Sequence, residues 1–290
     1  MLKRILTILV FLSSACILTT HAHAISVKIG YNDTTYDQAT ASLFKVVFER
    51  SGYNVSEIKG DPDVLLSMLD KGEIDVYVSA WLPHRDAASF ADAGEDLKLI
   101  TPLYEDASSF FVVPKYIPKS AMNSIQDLLK PDVMGRMDTS ILGDKRSRRL
   151  AEQVRIALDD YQLNDQGFTQ KLLEQADWYE QVQQKLEDKS WFVLPMTKPH
   201  MLNMTKKFRR LKDPKEAFAK DDTAWLVGNS KTHKRIADHI FEIITKMELS
   251  TKWVAEIDEM GYDNDWPHYV AARVWMAAHP YTVEYWISGE

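Results

Sequence analysis

From Ile25 onward the hydrophobic and polar positions switch between two periods. "ISVKIGY" (25–31) is a short apolar strand. From Gln38 to Arg50, Ala39, Leu43, Val46 and Val47 recur on one helical face, and Gly52 ends the run. "YNVSEI" predicts a second strand. In "DPDVLLSMLDKGEID", Asp61 is placed as an N-cap, Pro62 at the first helical position and Gly72 at the end. "DVYVSA" is the third strand. Strands alternating with helices in this way build a parallel sheet with right-handed crossovers. "LKLI" (97–100) and "SSFFVVP" (108–114) read as two more strands.

A second lobe is expected after Pro114, with Pro114 and Pro118 bracketing the crossing. "SIQDLLK" (124–130) is a short helix opened by Ser124, and "DVMGRMD" reads as a strand. Asp144 to Tyr161 is helical, with Leu150, Val154, Ala157 and Leu158 on one face. Gln181 to Glu187 continues the helical pattern, and "SWFVLPM" (190–196) is a buried strand. "DDTAWLVG" (221–228) returns to the first lobe, and Ile236, Ile240, Ile243, Ile244 and Met247 stripe a late helix. The organisation predicted is α/β: residues 25–113 with 224–290 in lobe one, and 114–223 in lobe two. The chain crosses twice, near Pro114–Pro118 and near Asp222–Trp225, and these crossovers are the expected hinge.

The first 24 residues differ in kind. Lys3 and Arg4 precede an apolar run from Ile5 to Leu18 and an Ala22-His23-Ala24 ending, the pattern of a cleaved export signal. The run is too short to span a bilayer comfortably. Ser13-Ser14-Ala15-Cys16 lacks the aliphatic residue a lipid-attachment site wants, so no lipid anchor is expected. Cys16 is the only cysteine, so the mature chain would have neither disulfides nor thiol chemistry. A chain of 290 residues that is 45% hydrophobic can build its core without such staples, which fits a periplasmic location. The net charge of −7 argues against nucleic acid as a partner.

The stretch "DVYVSAWLPHRD" (75–86) ends a strand on a large aromatic followed by a turn-fixing proline. With "KIGYNDTTYDQATASLFKVVFERSGY", "LYEDASSFFVVP", "SWFVLPMTKPHMLN", "LKDPKEAF" and "AARVWMAAHPYTVEYW", it resembles the substrate-binding proteins of glycine betaine, choline and proline-betaine ABC importers. The resemblance implies a two-lobed periplasmic-binding-protein fold (type II-like) with two hinge crossovers. It also implies a role in import, with a membrane permease and its ATPase as partners, no cofactor and a monomeric chain. Such proteins recognise quaternary ammonium groups on aromatic faces, each worth roughly 0.5–2 kcal/mol.

Trp81 stands where the family places one cage ring. The other positions depart from the pattern: Thr34, Ser109 and Thr197 stand where relatives carry rings, with Tyr31 and Tyr36 near enough to substitute. Losing two or three rings removes about 1–6 kcal/mol of cation recognition. Weak binding of glycine betaine itself is therefore expected, with preference for a small cation or zwitterion that carries hydrogen-bonding groups. Asp138, at the end of the strand that opens lobe two, and His200, after Pro199, complete the expected ligand set. Arg146, Arg148 and Arg149 read either as an anion pocket or as a solvated basic face. Trp81→Ala is expected to cost affinity much more than stability.

His84 and His200, each after a proline, could meet across the cleft, but two ligands do not hold a metal, and none is expected. No nucleophile elbow, HExxH or phosphate loop is present, so catalysis is not expected. A sensory module presenting its solute to a membrane receptor, and a binder of a non-methylated amine or amino acid, remain the alternatives to import of a quaternary ammonium compound.

Overall fold

The computed structural model describes residues 25–218 and 220–288; the export signal read at residues 1–24 lies outside them. The chain opens with β1 (Ser26–Asn32), α1 (Thr35–Arg50), β2 (Asn54–Gly60), α2 (Pro62–Lys71) and β3 (Val76–Leu82). Thr34 caps α1, its hydroxyl oxygen accepting the Asp37 N–H. Asp61 caps α2, Pro62 opens it, and Gly72 closes it in the left-handed region with φ 74°, where a glycine pays no Cβ penalty. β1 runs parallel to both β2 and β3.

After α3 (Ala87–Ala93) comes the element that organises the molecule, β4 (Leu97–Pro114), 18 residues in one strand. The sequence pattern predicts two strands here because "YEDAS" breaks the apolar alternation. Instead the strand passes through that break with an irregularity, Asp106 adopting φ 59°. The chain then forms α4 (Pro131–Met134), β5 (Met137–Asp138), β6 (Ser140–Asp144), α5 (Arg148–Asp160), β7 (Thr169–Leu173), α6 (Gln175–Glu187), β8 (Trp191–Phe192), β9 (Leu194–Lys198) and β10 (Phe208–Arg210). It returns through β11 (Asp222–Asn229) and ends in α7 (Thr232–Arg235), α8 (Asp238–Thr245), α9 (Thr251–Asp263), α10 (His268–Ala278) and α11 (Pro280–Ser288).

Three sequence readings change in lobe two. "DVMGRMD" is mostly not a strand: Pro131 starts a helical turn, and only Met137–Asp138 are extended. The helix expected from Asp144 starts at Arg148, because Ser140–Asp144 pairs with β7 as a parallel strand. "SWFVLPM" divides into β8, beside β5, and β9, beside β4.

β4 is shared by both lobes. Residues Leu97–Ala107 pair with β11, which also pairs with β3, so this half belongs to lobe one. From Ser108 onward β4 pairs with β9 and then β10 in lobe two. The change of partners therefore falls at Ala107–Ser108, ahead of Pro114 where the pattern places the first crossing. The apolar core follows the same division. Val27, Phe44, Val76, Trp81, Ile240, Ile257 and Trp275 pack in one cluster of lobe one, while Phe111, Ile125, Val154, Phe168 and Val193 pack in lobe two.

Candidate ligand-binding site

β3 delivers Trp81 to the seam between the lobes, and the delivery depends on a bulge. Opposite β11, Trp225 pairs with Ala80 and Leu226 with Val78, so Ser79 is left over. Ser79 adopts φ 74°, an unusual conformation for a residue with a Cβ, of the kind held by surrounding structure at functional sites. The bulge turns its hydroxyl to Tyr104, 2.7 Å from the phenol oxygen, and both oxygens accept from the Trp81 indole Nε1 at 3.1 and 3.3 Å. The indole is thereby fixed at its polar edge. Trp81 is only 1% exposed. Burial this complete does not fit the sequence expectation that its replacement by alanine costs little stability.

The loop after Trp81 folds back on it. Asp86 accepts the Trp81 N–H at 2.8 Å and returns its own N–H to the Trp81 carbonyl at 2.9 Å. Asp222, at the head of β11, accepts the His84 and Arg85 N–H groups at 2.7 and 3.1 Å. Held from both sides, the loop places the Arg85 guanidinium 3.5 Å from the centre of the Trp81 ring. The Arg85 side chain is 3% exposed and pairs with the fully buried Asp86 at 3.1 Å. Burial opposes the arginine's charge, but Asp86, Tyr36 and Asp37 outweigh it and hold the guanidinium protonated.

Asp37, in the first turn of α1, is fully buried on the same side. One carboxylate oxygen accepts from the Thr34 hydroxyl at 2.8 Å and from the Asn32 amide at 3.3 Å, while Oδ1 makes no hydrogen bond of good geometry among the described residues, with the Ser79 hydroxyl near enough to favour its charge. Burial pushes its pKa up to about 6, against the pull of Arg85. Tyr36 lies with its ring 5.7 Å from Trp81 and 6.5 Å from His200. Burial raises its phenol to about 12, with Thr34 and Thr197 beside the hydroxyl. The buried Tyr77 hydroxyl has no hydrogen-bond partner among the described residues and feels Asp86, Asp37, Arg85 and Arg149.

Lobe two closes on this group. His200 has its Nδ1 accepting the Leu202 N–H, and its ring lies 5.7 Å from Trp178; burial lowers its pKa, so the ring is neutral. The Met201 N–H donates to Asp258 of α9 at 3.0 Å. Tyr179 of α6 and Tyr262 of α9 meet at 4.1 Å. At the other end of the seam, Arg149 of α5 donates to Asp63 at 2.6 Å and to Ser89, with Asp86 at 3.9 Å, and Arg148 pairs with Asp61.

The structure thus brings together Trp81, Tyr36, Thr34, Thr197 and His200, with Ser109 on β4 directly across from Thr197. Tyr31 is buried in the lobe-one core, with Glu57 and Asp33 the charges that act on it. Asp138 lies apart: Lys185 and the Ser140 N–H hold its carboxylate below the usual range. His84 enters the site through its backbone, not its ring, and among the described residues no contact joins it to His200. Sequence reasoning missed Asp37, Ser79, Arg85, Asp86, Tyr104 and Asp222. Arg85 and Asp86 stand in plain view in "AWLPHRD", but nothing in a linear pattern says that the arginine turns back onto the ring. Among the described residues no group of three or more His, Cys, Asp or Glu is placed to hold a metal ion, and no helix is long and apolar enough to cross a membrane.

Residues 25–278 match the model of the OpuAC family, the substrate binding domain of ABC-type glycine betaine transport systems. The chain belongs to this family. Its members are solute-binding components of transporters, not enzymes. Among solved structures, lactococcal OpuAC in its closed-liganded conformation with glycine betaine is 20% identical, with a TM-score of 0.77 over 91% of this chain and 99% of that one. The glycine betaine, L-proline-binding protein (ProX) of Borrelia burgdorferi is 22% identical, TM-score 0.75, over 90% and 96%. An ABC-transporter choline binding protein in complex with choline is 18% identical, TM-score 0.74, over 91% and 92%. These likenesses confirm the two-lobed α/β fold. Among curated proteins none matches this chain.

Proposed function

We propose that the protein is the periplasmic solute-binding component of an ABC import system. It captures a small quaternary-ammonium-like or zwitterionic compatible solute between its lobes and delivers it to a membrane permease driven by an ATPase. The observation that carries this reading is Trp81, an aromatic platform fixed at its edge and set at the seam, with Tyr36, Asp37 and Arg85 around it and His200 of lobe two closing beside Tyr36. Trp81, Tyr36, Thr34, Thr197, His200 and Ser109 are the ligand-proximal residues in this reading; Tyr31, in the lobe-one core, and Asp138, held by Lys185, are not. The lobes divide as 25–107 with 224–290 and 108–223, the first crossing lying at Ala107–Ser108 instead of near Pro114. The hinge then comprises that point and the chain entering β11 at Asp222. The protein works as a monomer.

A thermal-shift panel tests the reading. It includes glycine betaine, choline, carnitine, proline betaine, dimethylsulfoniopropionate and non-methylated amino acids and amines. A ligand at 100 times its dissociation constant stabilises by about 2.7 kcal/mol, which moves the melting temperature by degrees. No shift with any member of the panel would sink the proposal.

A further inference from the structure

A cation of the chain itself already covers the Trp81 ring. The Arg85 guanidinium lies over the Trp81 ring at 3.5 Å and is nearly inaccessible. It cannot be neutralised at any physiological pH, so a second cation on that face meets a like charge at contact distance. Its hydrogen bonds to Asp86 come from Nε and Nη2, at 3.1 to 3.4 Å, which leaves Nη1 and its two N–H groups to donate. A carboxylate is the group whose geometry suits a guanidinium edge.

The complementary acceptor is Asp37. Its Oδ1 is buried and, among the described residues, makes no hydrogen bond of good geometry, while the Ser79 hydroxyl, which accepts from Trp81, is near enough to stabilise the carboxylate. A buried carboxylate oxygen without a well-aligned donor is costly, and an N–H or O–H from a bound molecule would satisfy it. A trimethylammonium group has no such hydrogen to give.

Resting on the reading of the chain as a receptor for small zwitterions, we propose that Arg85 and Asp37 set its specificity. The site selects zwitterions that pair a carboxylate with an ammonium still bearing N–H, the amino-acid type, over their fully N-methylated counterparts. Arg85 occupies the Trp81 face against a quaternary ammonium and offers Nη1 to the carboxylate. Asp37 receives the N–H. Both residues sit in lobe one, so selection is made before lobe two closes.

The test is a matched pair, L-proline and its N,N-dimethyl betaine, and a second series from glycine through sarcosine and dimethylglycine to glycine betaine. Dissociation constants are measured by calorimetry on the wild type, Arg85→Ala and Asp37→Asn. Because Arg85→Ala leaves Asp86 buried and unpaired, the double variant Arg85→Gln/Asp86→Asn provides a second, charge-neutral probe. The wild type is expected to favour the N–H member by at least about tenfold. Both Arg85 variants are expected to shift that ratio toward the methylated member by about tenfold or more, and Asp37→Asn to narrow it. Each protein supplies its own ratio, so a general loss of stability does not move the readout. A wild type that favours the methylated member, or a ratio unmoved in the Arg85 variants, overturns the assignment while leaving the receptor reading intact. Absence of binding by every member of both series, in all four proteins, overturns the assignment; the receptor reading falls with it only if the wider thermal-shift panel is also silent.

Discussion

The two walls of the cleft are built on different terms. In lobe one, Ser79, Trp81, Arg85, Asp86 and Asp37 are buried, and bulge, loop and carboxylates hold one another in a closed web of hydrogen bonds. In lobe two the contribution at one end of the seam is Arg148 and Arg149, which reach across on partly or largely exposed side chains. The Arg148 side chain is 77% exposed. Buried charges lose heavily if a partner is removed, whereas exposed ion pairs are screened and individually worth about 1 kcal/mol or less. The lobe-one wall is therefore preorganised, while lobe two meets it through exposed ion pairs at this end of the seam and through buried contacts, Met201 to Asp258 and His200 beside Tyr36, at the other.

The sharpest way to break the comparison is Trp81→Ala. A fully buried indole, edge-bonded to Ser79 and Tyr104, should cost about 3–5 kcal/mol of unfolding free energy, and ligand affinity should fall by at least about tenfold. Urea denaturation and calorimetry check the two halves. An alanine variant with unchanged stability would mean that the lobe-one wall is far looser than its packing indicates.

A second effect concerns Asp37. Its carboxyl is raised from 3.8 to about 6 by burial, with Arg85, Asp86, Tyr36, Tyr77 and Tyr104 the titratable or charged groups facing it. Below pH 4 the group is protonated folded or unfolded and exerts no penalty. As pH rises from 4 to 6 the carboxyl ionises freely in the unfolded chain while the folded state keeps it protonated, so stability falls, by up to about 3 kcal/mol above pH 6. Asp37→Asn does not titrate. The stability of the wild type relative to this variant should therefore decline between pH 4 and pH 7, and parallel melting curves across that range would reveal it. A constant difference would remove Asp37 from the buried web.

The smallest effects belong to the exposed ion pairs. Arg149→Ala should weaken ligand binding roughly threefold to tenfold, because it deletes the tie to Asp63 and Ser89 that exists only when the lobes meet. Arg148→Ala should change stability by about 1 kcal/mol or less, and that change should shrink further in 0.5 M salt. If Arg149→Ala and Arg148→Ala instead destabilised as much as Trp81→Ala, the two walls would not differ in kind.

Local chemistry made much of the first lobe legible. The Asp61-Pro62 start and Gly72 stop of α2, the Thr34–Asp37 start of α1 and the period-two strands each depend on neighbours within a few residues, and such signals survive in a linear reading. Trp81 was legible for the same reason, as an aromatic at a strand end before a proline. β4 was not read as one strand, since "YEDAS" looks like a turn until β9 and β11 supply partners on either side of Ala107–Ser108. The site divides in the same way. Residue types and order along the chain determined the α/β class and the family resemblance, and with it the expectation that Thr34, Ser109 and Thr197 stand in place of rings. Only the tertiary structure decided that Arg85 turns back over Trp81, that Asp37 is buried beside it and that Asp138 is held by Lys185 apart from the Trp81 group. Those outcomes depend on burial and on which charge lies nearest, and both come from residues far apart in sequence, such as Asp222 beneath the Arg85 loop.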